Sequence, residues 1–444
     1  VKRICLALPT NRACTDAIAG LAAEAHYAAQ RFDVEVHLLI LDSSDADSQA
    51  SHSRAVAAIA RSARVIPHHI AEPEQRDFLR RLISNADCAK PDLLLDLMLP
   101  PGVSYGACTN RAFLYASALG CASVHRRDSD SRYQTSHGLP LFPIHHELGS
   151  LGRRASDAAA TMSENQLDPC LAHRPVSLVG GSFIGELSVD LGEILERDAA
   201  IYHDLVSLWA PGHWPDARKR ELVAQSFRGA GLESFVDDHS VLTVVDPMRI
   251  DMCNISFDHE TYERVPLLPA VDTIGSDYFL MHLVESAGLP GVLHNRDIVN
   301  FYTPQRRTGA GFHAYHLRFA KFVLSMLYLN FIYERMAAAG PALLDGDEHV
   351  RPDAVVDLAR LSTELDRGEN VERLRVLTRC YRALGGKYGE LAETLAARGP
   401  RLLDEAQADI EDFALLTESW AALVRASRST AVGSAHRGRT GSWN

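Results

Sequence analysis

The residues best suited to chemistry in this chain are two aspartates with one residue between them, Asp128 and Asp130, in the stretch SVHRRDSDSRY (residues 123–133). Alternate carboxylates in an extended turn can both reach one divalent ion, directly or through water, and hard Mg²⁺ or Mn²⁺ prefers such oxygen ligands. Two solvated loop aspartates have the same spacing, and it recurs in DAD (Asp45, Asp47) and DGD (Asp345, Asp347). The motif alone therefore decides nothing. Other groupings carry less. HHELG (His145, His146, Glu147) lacks the HExxH spacing of a zinc protease, and the glycines near Gly180 and Gly288 lack either phosphate-loop spacing. Eight cysteines are scattered singly with no CxxC pair. That disfavours a zinc ribbon or a thioredoxin-like site and fits a reducing cytoplasm.

What positions DSD is a run of strands and helices. RICLAL reads as a strand broken by PTNR, and TDAIAGLAAEAHYAAQRF as a helix capped by Thr15 or Asp16. VEVHLLIL is a second strand ending in DSSD, followed by a helix and the strand RVIPHHI. Helices at EQRDFLRRLISNA and YGACTNRAFLYASALG lead to the strand CASVHR, which runs directly into RDSD. Such alternation predicts an α/β fold with a mainly parallel sheet covered by helices. Ligands of open α/β sheets sit beyond the carboxyl ends of strands. The turns PTNR, DSSD and RDSD all fall at such ends and are expected to face one crevice. DAD lies just past a strand-end turn and DGD between helices, so neither shares that setting. Beyond residue 132 a long His-, Ser-, Gly- and Pro-rich stretch precedes further strands at VSLVGGSFIGEL, VLTVVD, CNISFD and PGVLHNRDIV. A helix is expected over roughly Leu191 to Trp209 and another at GSDYFLMHLVESAG. The chain divides into an α/β unit (1–310), a helical C-terminal region (311–426) and a small, polar, basic tail expected to be disordered (427–444).

A DxD at a strand end within this layer order resembles the GT-A-fold, nucleotide-sugar-dependent glycosyltransferases. LALPTNR resembles the strand and loop that hold the nucleotide, and LILDSSD the second strand, whose terminal acid meets base or ribose. NRAFLYASALGCASVHRRDSD resembles the approach to the metal, GSDYFLMHLVESAG the helix that presents an acid to the acceptor, and VLHNRDIVNFY the segment that supplies a metal-binding histidine. The resemblance spans about the first 310 residues. The helical C-terminal region is similar to that of bacterial retaining members acting on small acids such as glycerate. Arg126-Arg127 depart from the pattern, standing where apolar residues normally lead into the DxD.

The resemblance implies a Mn²⁺ or Mg²⁺ ion held by Asp130, with Asp128 on ribose or a metal-bound water and His294 as a third ligand. It implies nucleotide contacts from Pro9, Asn11, Arg12 and Asp42, and Asp277 as the acid facing the acceptor. Arg111 is a candidate for the diphosphate or donor sugar, because a guanidinium forks onto phosphate oxygens. The expected activity is metal-dependent transfer of a sugar from a nucleoside-diphosphate sugar to a small soluble acceptor.

The 444 residues are 46% hydrophobic and 23% charged, with a formal net charge of −12. This suits a globular protein and argues against nucleic acid as a partner. No apolar run of ~20 residues or secretory leader is seen, so no membrane span is expected. The C-terminal helices offer a surface for homo-oligomerisation. High Ala and Arg with little Lys points to a GC-rich bacterial genome, and antibiotic or other natural-product biosynthesis is the setting this suggests. A nucleotidyltransferase shares the architecture, but PTNRACTD is not its Gly-rich basic loop. A non-catalytic binding protein of the same shape is the remaining alternative.

Overall fold

The computed structural model describes residues 1–301, 307 and 309–432. Its centre is a nine-stranded sheet of order β3-β2-β1-β4-β12-β9-β13-β11-β8. In chain order the strands are β1 (Lys2–Thr10), β2 (Val34–Asp42), β3 (Val65–Ala71), β4 (Ser123–Arg127), β5 (Ser131–Tyr133), β6 (Thr135–Ser136), β7 (Leu139–Pro140), β8 (Glu164–Asn165), β9 (Leu178–Gly180), β10 (Phe183–Gly185), β11 (Ser240–Thr243), β12 (Asn254–Asp258), β13 (Gly291–His294) and β14 (Ile298–Asn300). Strands β3, β2, β1 and β4 are parallel, β12 is antiparallel to both β4 and β9, and β11 is antiparallel to β13. The sheet is thus mixed, which corrects the mainly parallel expectation. Strand–helix alternation holds only up to β4. Beyond it the strands are short and set in loops, and local apolar pattern carries no strand direction. Strands β10, β14 and β5 form a separate small sheet.

Period-two alternation divides the two faces of the sheet. On one face Ile4, Leu6 and Leu8 of β1 join Leu38 and Ile40 of β2. They pack on α1 (Thr15–Arg31), beside α2 (Ala46–Ala57). On the other face Cys5, Ala7, Leu39 and Leu41 join the larger core. That core includes α3 (Glu72–Ala86), α4 (Pro91–Met98) and α5 (Tyr105–Ala118). The middle of the chain adds α6 (Ile144–Ser150), α7 (Ala155–Ala159), α8 (Gly192–Arg197), α9 (Ala199–Ser207), α10 (Asp216–Gln225), α11 (His259–Tyr262) and α12 (Phe279–Ser286). The single helix expected over Leu191 to Trp209 is two, because Asp198 leaves helical geometry and caps the second through Ala200 N and Ile201 N.

The C-terminal region is helical, with α13 (Gly309–Ala339), α14 (Pro352–Ser362), α15 (Gly368–Leu384) and α16 (Lys387–Ser427). One hydrophobic cluster runs from Cys5 and Ala7 through α13 to Trp420 and Leu423, so these helices share the sheet's core. The polar breaks in the apolar run of α13 have partners: Lys321 Nζ pairs with Asp409 at 2.8 Å, and Asn330 donates to the Trp209 carbonyl at 2.9 Å. Within the stretch expected to be a disordered tail, Ser427 closes α16 and Thr430 is buried, accepting from Asn85 of α3 at 3.2 Å. Residues 433–444 of that stretch lie outside the described residues. Among the described residues no helix is long and apolar enough to cross a membrane.

Candidate functional site

Strand β4 carries two adjacent, fully buried arginines, Arg126 and Arg127. Consecutive strand residues point to opposite faces, so the two enter different surroundings. Arg126 faces the C-terminal helices. Its Nη2 lies 3.1 Å from Asp128 Oδ1, and its Nη1 lies 3.1 Å from Asp277 Oδ2 and donates to the Met252 carbonyl at 2.8 Å. Arg127 faces α1 and α6, where its guanidinium meets both carboxylate oxygens of Glu24 and Glu147 Oε2 at 2.8–3.1 Å. The departure at Arg126-Arg127 therefore does not shorten the strand: β4 runs through Arg127, and DSD begins at its carboxyl end.

A cavity opens at the end of β4, but of the three turns expected to face one crevice only RDSD contributes to its lining. Parallel registry of β2, β1 and β4 brings Asp42, Thr10 and the end of β4 to one sheet edge. The loop after β1 reaches over it: Arg12 Nη1 lies 3.0 Å from Asp130 Oδ2. Across from them stand Asp277, in the turn before α12, and Asp251, which accepts from Tyr278 Oη at 2.5 Å and from Cys253 N at 2.9 Å. Asp277 lies just before the N-terminus of α12, beside the Arg126 guanidinium. All four aspartates line one cavity of about 180 Å³. Burial pushes Asp128 up to about 6; Arg126 opposes this, while Asp130, Asp251 and Asp277 add to it. Asp277 is also raised, by burial and by Asp251 against the pull of Arg126. Buried carboxylates that repel one another are costly, and a divalent cation relieves the repulsion. Asp128 and Asp130 are hard oxygen donors of the kind Mg²⁺ or Mn²⁺ prefers, but with Asp251 or Asp277 they do not bring three ligand atoms within 4.8 Å of one another.

Three expected members are placed elsewhere. Arg111 is buried in α5, donating to Gln75 Oε1 at 2.8 Å and to the Met98 carbonyl at 2.5 Å, where it ties α5 to α3 and α4. His294 is buried on the Arg127 side of the sheet. It stacks on His146 with ring centroids 5.4 Å apart, and neither ring nitrogen has a hydrogen-bond partner. It does not join Asp128 and Asp130 in a donor cluster. Asp42 is at the expected strand end but turned inward. Its Oδ1 accepts from Ser44 N and Oγ, and its Oδ2 meets His52 Nδ1 at 2.7 Å and His69 Nε2 at 2.8 Å. Burial opposes ionisation there, yet these hydrogen bonds hold Asp42 well below the usual carboxylate range. Asp42, His52 and His69 are close enough to share a metal ion. Their atoms are already paired, however: His52 Nε2 accepts from Cys14 N at 3.0 Å, and His69 Nδ1 meets Ser53 Oγ at 3.1 Å.

Asn11 is exposed in the turn after β1, and Pro9 pairs with Leu41 inside that strand. The rival DxD motifs have local roles. Asp45 caps α2 through Ser48 N at 2.8 Å, and Asp345 closes an exposed turn through Asp347 N and His349 N. Sequence reasoning missed Asp251, Tyr278 and Arg126. For Arg126 a signal was present, because residues 126 and 128 share a strand face; for Asp251 nothing in the local pattern marked it.

A family model matches residues 2–436. The chain belongs to the DUF6271 family, a family of unknown function. A comparison with curated proteins gives no match. Among solved structures the chain is similar to a mycobacterial protein at 16% identity, over 73% of this chain and 74% of that one, with a TM-score of 0.33. That likeness is too loose to carry an argument.

Proposed function

We propose that this DUF6271 protein is a cytoplasmic, divalent-metal-dependent glycosyltransferase that moves a sugar from a nucleoside-diphosphate sugar to a small acceptor. The observation that carries the reading is the cavity beyond β4, where Asp128, Asp251 and Asp277 gather about the Arg126 guanidinium and Asp128 and Asp277 are pushed up. In this reading Asp130 is the direct ligand of Mg²⁺ or Mn²⁺, and Asp128 meets the ribose or a metal-bound water. The ion's contribution, when bound, is to neutralise the departing diphosphate as a Lewis acid. Pro9, Asn11 and Arg12 line the nucleotide side, with Arg12 forking onto phosphate. Asp277 faces the acceptor, either as general base or as the group that orients its hydroxyl. Burial and Asp251 raise its pKa, the direction a proton-exchanging group needs. Arg126 holds Asp128 and Asp277 in place. The eight cysteines are free thiols, which suits a reducing compartment.

The test is thermal unfolding with UDP, GDP and dTDP, each with and without Mn²⁺. A nucleotide at 100 times its dissociation constant should add about 2.7 kcal/mol of stability, and only with the ion present. No stabilisation by any nucleotide under any metal condition overturns the reading.

A further inference from the structure

One wall of the cavity differs from the aspartates. It is apolar and largely aromatic, with Trp209, Phe227, Phe322, Met326 and Tyr333 drawn from α13 and the α9–β11 region. Trp209 and Phe227 lie flat on each other, with centroids 5.3 Å apart and planes 8° apart. Phe227 is held there at φ 65, a conformation bulky side chains seldom adopt. Gly275, at φ 70, lets the wall approach Phe322: a Cβ there would meet the ring at 3.0 Å. Two polar groups in this wall have no hydrogen-bond partner among the described residues, the His282 imidazole and the Tyr333 hydroxyl, whose rings stack at 3.9 Å. Neither residue is fully buried, and both line the cavity. Burial pushes His282 down to about 4, so its ring is neutral and offers one donor and one acceptor.

An apolar cavity of ~150 Å³ accepts benzene, and the whole of this one, aspartates included, is about 180 Å³. A polar acid does not suit it, because aromatic walls give no return for desolvating a carboxylate and Asp128, Asp251 and Asp277 on the other wall repel one. We propose that the cavity binds a ring-bearing alcohol of one or two rings, packed against the wall of Trp209, Phe227 and Phe322, with polar atoms on His282 and Tyr333 and a hydroxyl toward Asp277. The role of that hydroxyl as sugar acceptor rests on the glycosyltransferase reading; the ring site itself does not. The inference replaces the small-acid acceptor implied by the resemblance.

The experiment is a calorimetric titration of the full chain at neutral pH with 2-naphthol, and separately with D-glycerate. Saturable 2-naphthol binding at one site is expected, with no glycerate binding. Met326→Trp, which fills the cavity beside the aromatic wall, should weaken 2-naphthol at least tenfold while circular dichroism shows the fold retained. Should that variant fail to fold, Tyr333→Phe, which removes only a hydroxyl, should weaken binding severalfold. Absent 2-naphthol binding, glycerate binding as tight as that of 2-naphthol, or a folded Met326→Trp variant with unchanged affinity overturns the proposal. The same sample titrated with Mn²⁺ and UDP separates the two readings. Naphthol binding without nucleotide binding keeps the ring site and removes glycosyl transfer; nucleotide binding without naphthol binding does the reverse.

Discussion

Arg126 and Arg127 are neighbours in one strand, equally buried, yet their two sides of the sheet solve the problem of buried charge differently. Around Arg127 three of the four carboxylate oxygens are met by donors, and Glu147 Oε1 alone of them has none. Glu24 accepts from Arg127, from Tyr133 Oη at 2.5 Å and from Ile144 N at 3.1 Å, and Glu147 Oε2 accepts from Arg127 and is 2.7 Å from His125 Nδ1. Burial opposes ionisation there, but Arg127 and His125 hold Glu147 down at about 2. Around Arg126 the carboxylates open onto a cavity, and burial and their mutual repulsion push Asp128 and Asp277 up. The first arrangement fastens α1, α6 and the loop after β4 to the sheet. The second gathers carboxylates whose charged forms repel one another, as a cation-binding site would. A buried ion pair is by itself weak evidence of function; the sign of the carboxylate shifts distinguishes the two.

The largest expected effect comes from breaking the fastened side. Arg127→Met leaves two buried glutamates without their cation and should cost about 3–5 kcal/mol in urea unfolding, with no recovery on adding Mn²⁺. Arg126→Met should cost less, about 1–3 kcal/mol, because cavity water and added protons reach Asp128 and Asp277. Mn²⁺ should restore part of that loss. Equal costs for the two variants, both indifferent to Mn²⁺, would erase the contrast.

Proton competition sharpens it next. Asp128 must lose its proton to hold a metal-bound water and lend its charge to the ion, so Mn²⁺ affinity should fall by up to about tenfold from pH 7 to pH 5, as expected of a group with a pKa of about 6. The linkage sign is opposite for stability. The folded carboxyl keeps a proton that the unfolded chain releases, so in metal-free buffer the contribution of Asp128 to stability falls as pH rises from about 4 to about 6. Unfolding measured across that range, with chelator and with Mn²⁺, checks both signs. The smallest effect is expected at His294. Phe in its place keeps the stack on His146 and removes two unpaired nitrogens, so His294→Phe should change stability by less than about 1 kcal/mol and leave Mn²⁺ affinity unchanged. A large loss of affinity would return His294 to the metal site.

The sequence made the first half of the fold legible because β1 to β4 and their helices carry complete apolar periods. The carboxyl edge where PTNR and RDSD meet follows from parallel strand–helix alternation alone, and Arg12 does meet Asp130. The direction of β12 and the shared core of α13 and α16 were not legible, since neither is encoded within a local window. The misplaced residues failed for reasons of face. Arg111 has the right chemistry, but helix phase turns it to Gln75. His294 follows Val292 by two residues in β13, so both point to the α6–α7 side, while Asp128 continues the face of Arg126. Asp42 was found at its strand end, but His52 and His69, which occupy its carboxylate, are distant in sequence.

The most direct test of the Arg126 side is calorimetric titration of UDP, GDP and dTDP in the presence of Mn²⁺ at pH 7, into the wild type and into the Asp128→Asn/Asp130→Asn double variant. The account predicts ion-dependent binding of at least one nucleotide to the wild type and its loss in a variant that remains folded and no less stable. Binding of comparable strength in the double variant, or no binding to the wild type, would contradict it.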